Sequence, residues 1–148
     1  MDTKVLLAAL AGAVASFLLG WVVYGMALKG FFEAQMLESA RGIMRTEPVI
    51  WAIFIGCLSW STLQALIFSR WAGITTFKSG AMGGAWIGFL VALGANFFSY
   101  GSMDAWNIAA AIVDPIVNIL LGAVSGGVVG WGLGDGRGTA PTLVCAPA

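Results

Sequence analysis

Few side chains in this chain can do chemistry, and Asp114 leads them. It is the one charged residue inside four long apolar runs. A carboxylate at the middle of a membrane helix costs about 2.5–3.5 kcal/mol on insertion scales, so its presence points to a function by default. Asn118 follows it by one helical turn and shares its face. Asn96, on the preceding run, falls at a similar depth if the two runs pair as a hairpin. Three roles stay open for Asp114: a helix cap or polar clasp with Asn96 and Asn118, contact with a partner protein, or handling of an ion or solute. Gln64 lies nearer the opposite end, on the face of Ala52, Gly56 and Trp60.

The catalytic inventory is otherwise poor. The chain has no histidine, and no HExxH, GxSxG or CxxC pattern. An acid–base pair needs two titratable groups in one pocket, and only Asp104 or Glu47 could join Asp114 from the rim. The GLGDGRG stretch at 132–138 has the glycines of a phosphate loop but lacks the GK[ST] ending and follows no strand. Cys57 and Cys145 are far apart and have no histidine beside them, so neither a disulfide nor a zinc site is expected. Cys57 reads as a small hydrophobe. No catalytic residue, metal or cofactor is expected, and no enzymatic activity.

These residues must be positioned by elements that live in lipid. Of 148 residues, 59% are hydrophobic and only 9% charged, against about 25% charged in a soluble domain. Such a chain cannot cover itself in polar groups, so the bilayer is its expected partner. Seven basic residues balance seven acidic ones without a basic stripe, which argues against nucleic acid.

A crossing takes about 20 apolar residues, and four stretches qualify. They are placed at about 5–28, 49–68, 79–98 and 106–133. The first is too long for the core of a cleaved signal peptide and lacks a small-x-small site after it. Pro48 suits the first turn of the second span. The fourth stretch has two readings: one helix bending near Ala111, which is preferred, or a restart in which Asp114 caps and Pro115 opens a new helix. Residues 30–47 mix charges with Phe31, Phe32, Met36, Leu37 and Ile43, the pattern of an amphipathic helix at the interface. The tail, 135–148, is expected to be flexible. The transmembrane domain is thus residues 1–134. The acid-free Arg70–Lys78 link favours the cytoplasmic side, and with it both termini. Trp21, Trp51 and Trp106 then mark one surface, and Trp71 and Trp131 the other.

Small residues recur every fourth place. The fourth span carries Gly122, Gly126, Gly130 and Gly134, the third Gly80, Gly84, Gly88 and Ala92, and the first Ala8, Gly12, Ser16 and Gly20. Such faces let two backbones approach closely in lipid. The expected fold is therefore all-α, an integral membrane four-helix bundle with glycine-zipper packing. Continuing the registers outward reaches Asn118 and Asp114 on the fourth span, and Asn96 and Tyr100 on the third. A weak internal repeat accompanies them: Val23-Tyr24-Gly25 and Ser99-Tyr100-Gly101 stand 76 residues apart, and the same offset aligns Gly12 with Gly88 and Ala8 with Gly84. Two tandem hairpins in the same orientation would follow.

The segments KVLLAALAGAVASFLLGWVVYG, RWAGITTFKSGAMGGAWIG and IVDPIVNILLGAVSGGVVGW resemble a family of small four-helix bacterial inner-membrane proteins known as a domain of unknown function. The resemblance covers roughly residues 3–134. It implies a bacterial inner-membrane location and four helices, and says little about mechanism.

Two functions compete. An accessory or structural subunit of a larger membrane complex, with no chemistry of its own, fits the packing faces and the missing catalytic set. The alternative is a small homo-oligomeric transporter or channel using Asp114 with Asn96 and Asn118.

Overall fold

A backbone in hydrocarbon has only its own polar groups to bond with, so an apolar chain crosses lipid as helices. The computed structural model describes residues 2–42, 45 and 47–134, and over these the chain is all-α apart from one isolated extended pair. Helix α1 (Thr3–Val22) continues through a wider π turn, Val23–Ala27. Two short helices follow, α2 (Lys29–Gln35) and α3 (Glu38–Arg41). Helix α4 (Ile50–Ile67) also ends in a π turn, Phe68–Ala72, and α5 (Phe77–Ser102) and α6 (Ile108–Gly134) complete the chain. With the π turns included, four segments among the described residues are long and apolar enough to cross a membrane: Thr3–Ala27, Ile50–Ala72, Phe77–Ser102 and Ile108–Gly134. The shortest has 23 residues, about 35 Å of helix at 1.5 Å per residue, which exceeds the ~30 Å hydrocarbon layer. The architecture is that of a small multi-pass membrane protein. The proposed tail, 135–148, lies outside the described residues, and so do Ile43 and most of the glycine-rich 132–138 stretch.

Local chemistry sets the helix ends. Gly73 takes the left-handed conformation (φ 58°) that closes the α4 segment. Thr76 caps α5 by accepting the Ser79 N–H at 3.3 Å. Asn107 caps α6, its Oδ1 accepting from the N–H groups of Ala109 at 3.0 Å and Ala110 at 3.4 Å. This cap resolves the choice left open for the last apolar stretch. One helix runs through Pro115, so Asp114 is not a cap. Proline removes the bond to the Ala111 carbonyl, a loss that membrane helices tolerate when neighbours enclose the site, and Pro115 is fully buried.

Helix α6 is the centre of the packing. Its heaviest contact is with α5, where glycines replace side chains on both surfaces. A Cβ added to Gly80 would strike the Gly126 carbonyl, one on Gly84 the Gly122 carbonyl, and one on Gly88 the Asn118 carbonyl. In return, Gly122 lies against the Gly84 carbonyl and Gly126 against that of Gly80, while a Cβ on Gly130 would sit 2.6 Å from the Thr76 oxygen. The pairing of low numbers with high ones makes α5 and α6 antiparallel.

Another face of α6 receives α1, where a Cβ on Gly12 would stand 2.5 Å from the Val129 side chain and 3.3 Å from Ser61 of α4. Helices α1 and α4 are likewise antiparallel, with Phe17 and Phe54 edge to face at 5.8 Å. Val5, Ala8, Ala9, Ala65, Phe68 and Val129 form the core cluster, with Ile74 and Leu133 against it. The amino end, the α4–α5 link and the close of α6 therefore meet at one end of the bundle. The outer surface carries Trp71 at 80% exposure, Phe98 at 74% and Trp51 at 69%, apolar area that lipid can cover and water would penalise.

At the other end, residues 29–41 form two short helices where the sequence predicts one amphipathic helix. The cause is the extended break at Met36–Leu37, whose neighbourhood bonds across to the α5–α6 link. The Leu37 N–H donates to the Ala105 carbonyl at 3.1 Å and the Asn107 N–H to the Gln35 carbonyl at 3.1 Å. The Ser39 hydroxyl donates to the Asp104 carbonyl at 2.5 Å, and the Asn107 and Gln35 side chains also pair. Together these bonds lay α2 and α3 over the end of the bundle.

Candidate functional site

Beneath that cover, three helices converge on one carboxylate. The Tyr24 hydroxyl of the α1 π turn donates to Asp114 Oδ1 at 2.6 Å. Asn96 of α5 donates its amide to Oδ2 at 2.7 Å, and Asn118 donates to the same oxygen at 3.1 Å. Asn118 also reaches the Tyr24 hydroxyl at 3.2 Å and the Asp114 carbonyl at 2.9 Å. Of the sequence-derived site, Asp114, Asn96 and Asn118 are brought together. Tyr100, on the same register as Asn96, is left exposed.

Tyr24 is the member that the site reading did not include. Its signal was available, because it continues the first span's small-residue register of Ala8, Gly12, Ser16 and Gly20 by one further step of four. The π turn carries that residue onto the site: the Leu28 N–H reaches five residues back to the Val23 carbonyl at 2.8 Å. Such wide turns recur at functional positions. Phe32 of α2 packs on the Tyr24 ring at 5.4 Å and meets Trp106 at 6.3 Å, closing the site from above. Trp106, expected in a surface belt, thus packs on the cover of the site.

All the bonds to Asp114 come from neutral donors. Among the described residues, the ion pairs formed are Lys29–Glu33 at 3.8 Å and Arg41–Glu38 at 3.5 Å, neither at the site. Hydrogen bonds to a charged acceptor are the stronger kind, worth about 1.5–3 kcal/mol each. The amide N–H groups of Asn96 and Asn118 are committed, while among the described residues their carbonyl oxygens accept no hydrogen bond. No buried polar side-chain atom in the described residues lacks a partner, and Asn96 lines one of the two neighbouring cavities and Asn118 the other. The site thus gathers the oxygens of Tyr24, Asn96 and Asn118 around one carboxylate, ligand types that suit a cation or a proton-bearing group.

Two cavities border it. The smaller, about 540 Å³, lies under α2 and is lined by Tyr24, Phe32, Met36, Asn96, Trp106 and Asp114, with Lys29, Glu33 and Arg45 at its charged end. The larger, about 710 Å³, opens between α1, α4 and α6, and Tyr24, Asn118 and Lys29 border it too. Cys57, expected to be a buried hydrophobe, is only half-buried and lines the larger cavity.

A second polar cluster sits nearer the other end. Gln64 is fully buried and accepts from the Ser125 hydroxyl at 2.6 Å, while its amide donates to the Gly122 carbonyl at 3.4 Å. Ser61 and Ser125 share a bond at 3.2 Å. This group is buried and ties α4 to α6. Of the helix-packing residues, Gly80, Gly84, Gly88, Gly122, Gly126 and Gly130 lie in the α5–α6 contact. Gly12 instead faces Val129 and Ser61. Gly20 and Gly56 have nothing within 4 Å of an added Cβ, because they border the larger cavity.

Compared with protein-family models, curated proteins and solved structures, the chain matches none of them, so the resemblance in its glycine-rich segments extends only to the general form of a small multi-span helical protein.

Proposed function

We propose that the protein is a small transporter of the bacterial inner membrane, working as a homo-oligomer, in which Asp114 with Asn96 and Asn118 binds the translocated cation. A proton or a monovalent ion fits the oxygen-rich site. The observation that carries this reading is the carboxylate itself: it lies within a span, is oriented by donors from α1, α5 and α6, and lines a cavity. A subunit built only to pack would gain little from keeping a carboxylate in hydrocarbon, where its insertion costs about 2.5–3.5 kcal/mol. This consideration favours transport over the accessory-subunit reading. We read the α5–α6 contact as a glycine zipper that gives the site a rigid wall. We read both termini as cytoplasmic, a reading supported by the basic, acid-free Arg70–Lys78 link, and the site then falls in the outer half of the bilayer.

The test is flux in proteoliposomes that contain a pH-sensitive dye, with sodium or potassium gradients as parallel arms. Asp114→Asn should abolish the flux while leaving detergent-solubilised protein monodisperse and helical. Wild-type flux in that variant removes Asp114 from the role.

A further inference from the structure

The larger cavity has features that cation transport does not use. It reaches from Lys29, Pro48 and Ile50 at the covered end of the bundle down to Trp60, ten residues along α4, about 15 Å at 1.5 Å per residue. It lies where the first turns of α4 meet α1 through Phe17 and Phe54, while the bonds of α4 to α6, from Ser61 and Gln64, fall in its last two turns. Its buried residues Ser61, Gln64 and Ala65 lie in the last two turns of α4, while Trp51, Ile53 and Ile55 stand exposed in the first turns. Glycine at 20 and 56 keeps both walls open. At about 710 Å³ the space is within the range of small-molecule sites, enough for one acyl chain but not for two chains and a headgroup. The lining is mostly apolar, and among the described residues Lys29 is its sole charged one. Among the described residues that ammonium pairs with Glu33 at 3.8 Å on the exposed surface, a weak and exchangeable partner.

We infer that this cavity binds a single-chain amphiphile with a monoanionic head, a long-chain carboxylate drawn from the bilayer. Its head pairs with Lys29 and its chain lies between Phe17, Ile53 and Trp60. One cation matches one carboxylate, and a dianionic phosphomonoester head would leave a charge uncompensated. Occupancy does not require transport through Asp114. The chain would fill the gap that α4 leaves against α1 and α6, and so hold the tyrosine-bearing π turn in place.

The experiment uses purified full-length protein in detergent and a long-chain fatty acid with a photoactivatable diazirine on its chain, followed by peptide mapping. Adducts should concentrate on 50–60 and on Phe17 and Trp21. Gly20→Leu or Gly56→Phe, whose new side chains enter open space, should weaken labelling by about tenfold, the effect of filling the site. Lys29→Gln should weaken it by about fivefold and Lys29→Arg should not. With wild-type protein, a fatty alcohol carrying the same diazirine should label about fivefold less well than the acid. Labelling spread evenly over lipid-facing residues such as Leu6, Leu90 and Ile116, undiminished by either glycine variant, overturns the site. Equal labelling by acid and alcohol overturns the anionic head. Asp114→Asn should leave the labelling intact, which separates this inference from the fate of the transport reading.

Discussion

Removing one oxygen tests whether the carboxylate is held as described. Tyr24→Phe deletes the hydroxyl that donates to Asp114 at 2.6 Å and accepts from Asn118 at 3.2 Å, and it keeps the ring that packs on Phe32 at 5.4 Å. A bond to a charged acceptor is worth about 1.5–3 kcal/mol in soluble proteins, and polar bonds between membrane helices average nearer 0.6 with a maximum of about 1.7 kcal/mol. The remaining donors, Asn96 and Asn118, still satisfy Oδ2, so the charge is not abandoned. We expect a loss of about 1–2 kcal/mol. The assay is reversible unfolding in mixed micelles of mild detergent and dodecyl sulfate, read by far-ultraviolet circular dichroism. Combining Tyr24→Phe with Asp114→Ala in a double-mutant cycle isolates the shared term, which should be at least about 0.5 kcal/mol. If the two substitutions add without coupling, Tyr24 does not bond Asp114, and the three-helix clasp is wrong.

Other expectations follow from the packing. Gly84→Ala places a methyl group against the Gly122 carbonyl and 2.8 Å from Gly126 Cα, and should cost about 1–3 kcal/mol as an overpacked site. Gly94→Ala on the same helix meets nothing within 4 Å and should be neutral or stabilising; equal unfolding midpoints for the two would dismiss the close backbone contact. Ser125→Ala strips Gln64 Oε1 of its 2.6 Å donor and should destabilise by about 1–2 kcal/mol, measured in the same unfolding assay. Single cysteines at Asp2 and Ser79, in a Cys57→Ala background with Cys145 also replaced, should be labelled by an impermeant maleimide from one face of oriented vesicles, and a cysteine at Asp104 from the other. Labelling of Asp2 and Ser79 from opposite faces would end the four-crossing arrangement.

The lipid-spanning character was readable because it follows from bulk composition: too few charges exist to cover 148 residues, and hydrocarbon admits helices. The small-residue registers were readable for the same kind of reason, since a repeat of four places residues on one face whatever lies opposite. What lies opposite is not a local property. Gly80, Gly84 and Gly88 meet α6, yet Gly12 of a similar register meets the bulky Val129, and Gly20 meets empty space. The fate of Asp114 was likewise undecided by its neighbours in the chain. Pro115 beside it suited both a cap and a helix interior, and only the Asn107 cap, seven residues upstream, placed it inside the helix.

The sequence alone determined that the exterior is apolar, that the backbone must bond to itself, and that one carboxylate would need partners. Tertiary structure chose those partners. Tyr24 and Asp114 are separated by 90 residues, and no pattern of period four can report a distance across separate helices. The π turn, the packing of α4 and the bonds that pin α2 over the bundle end arise from contacts between segments far apart in the chain. Hydrophobic patterning acts within a helix, whereas a polar site between helices depends on their relative rotation and depth, which packing alone fixes.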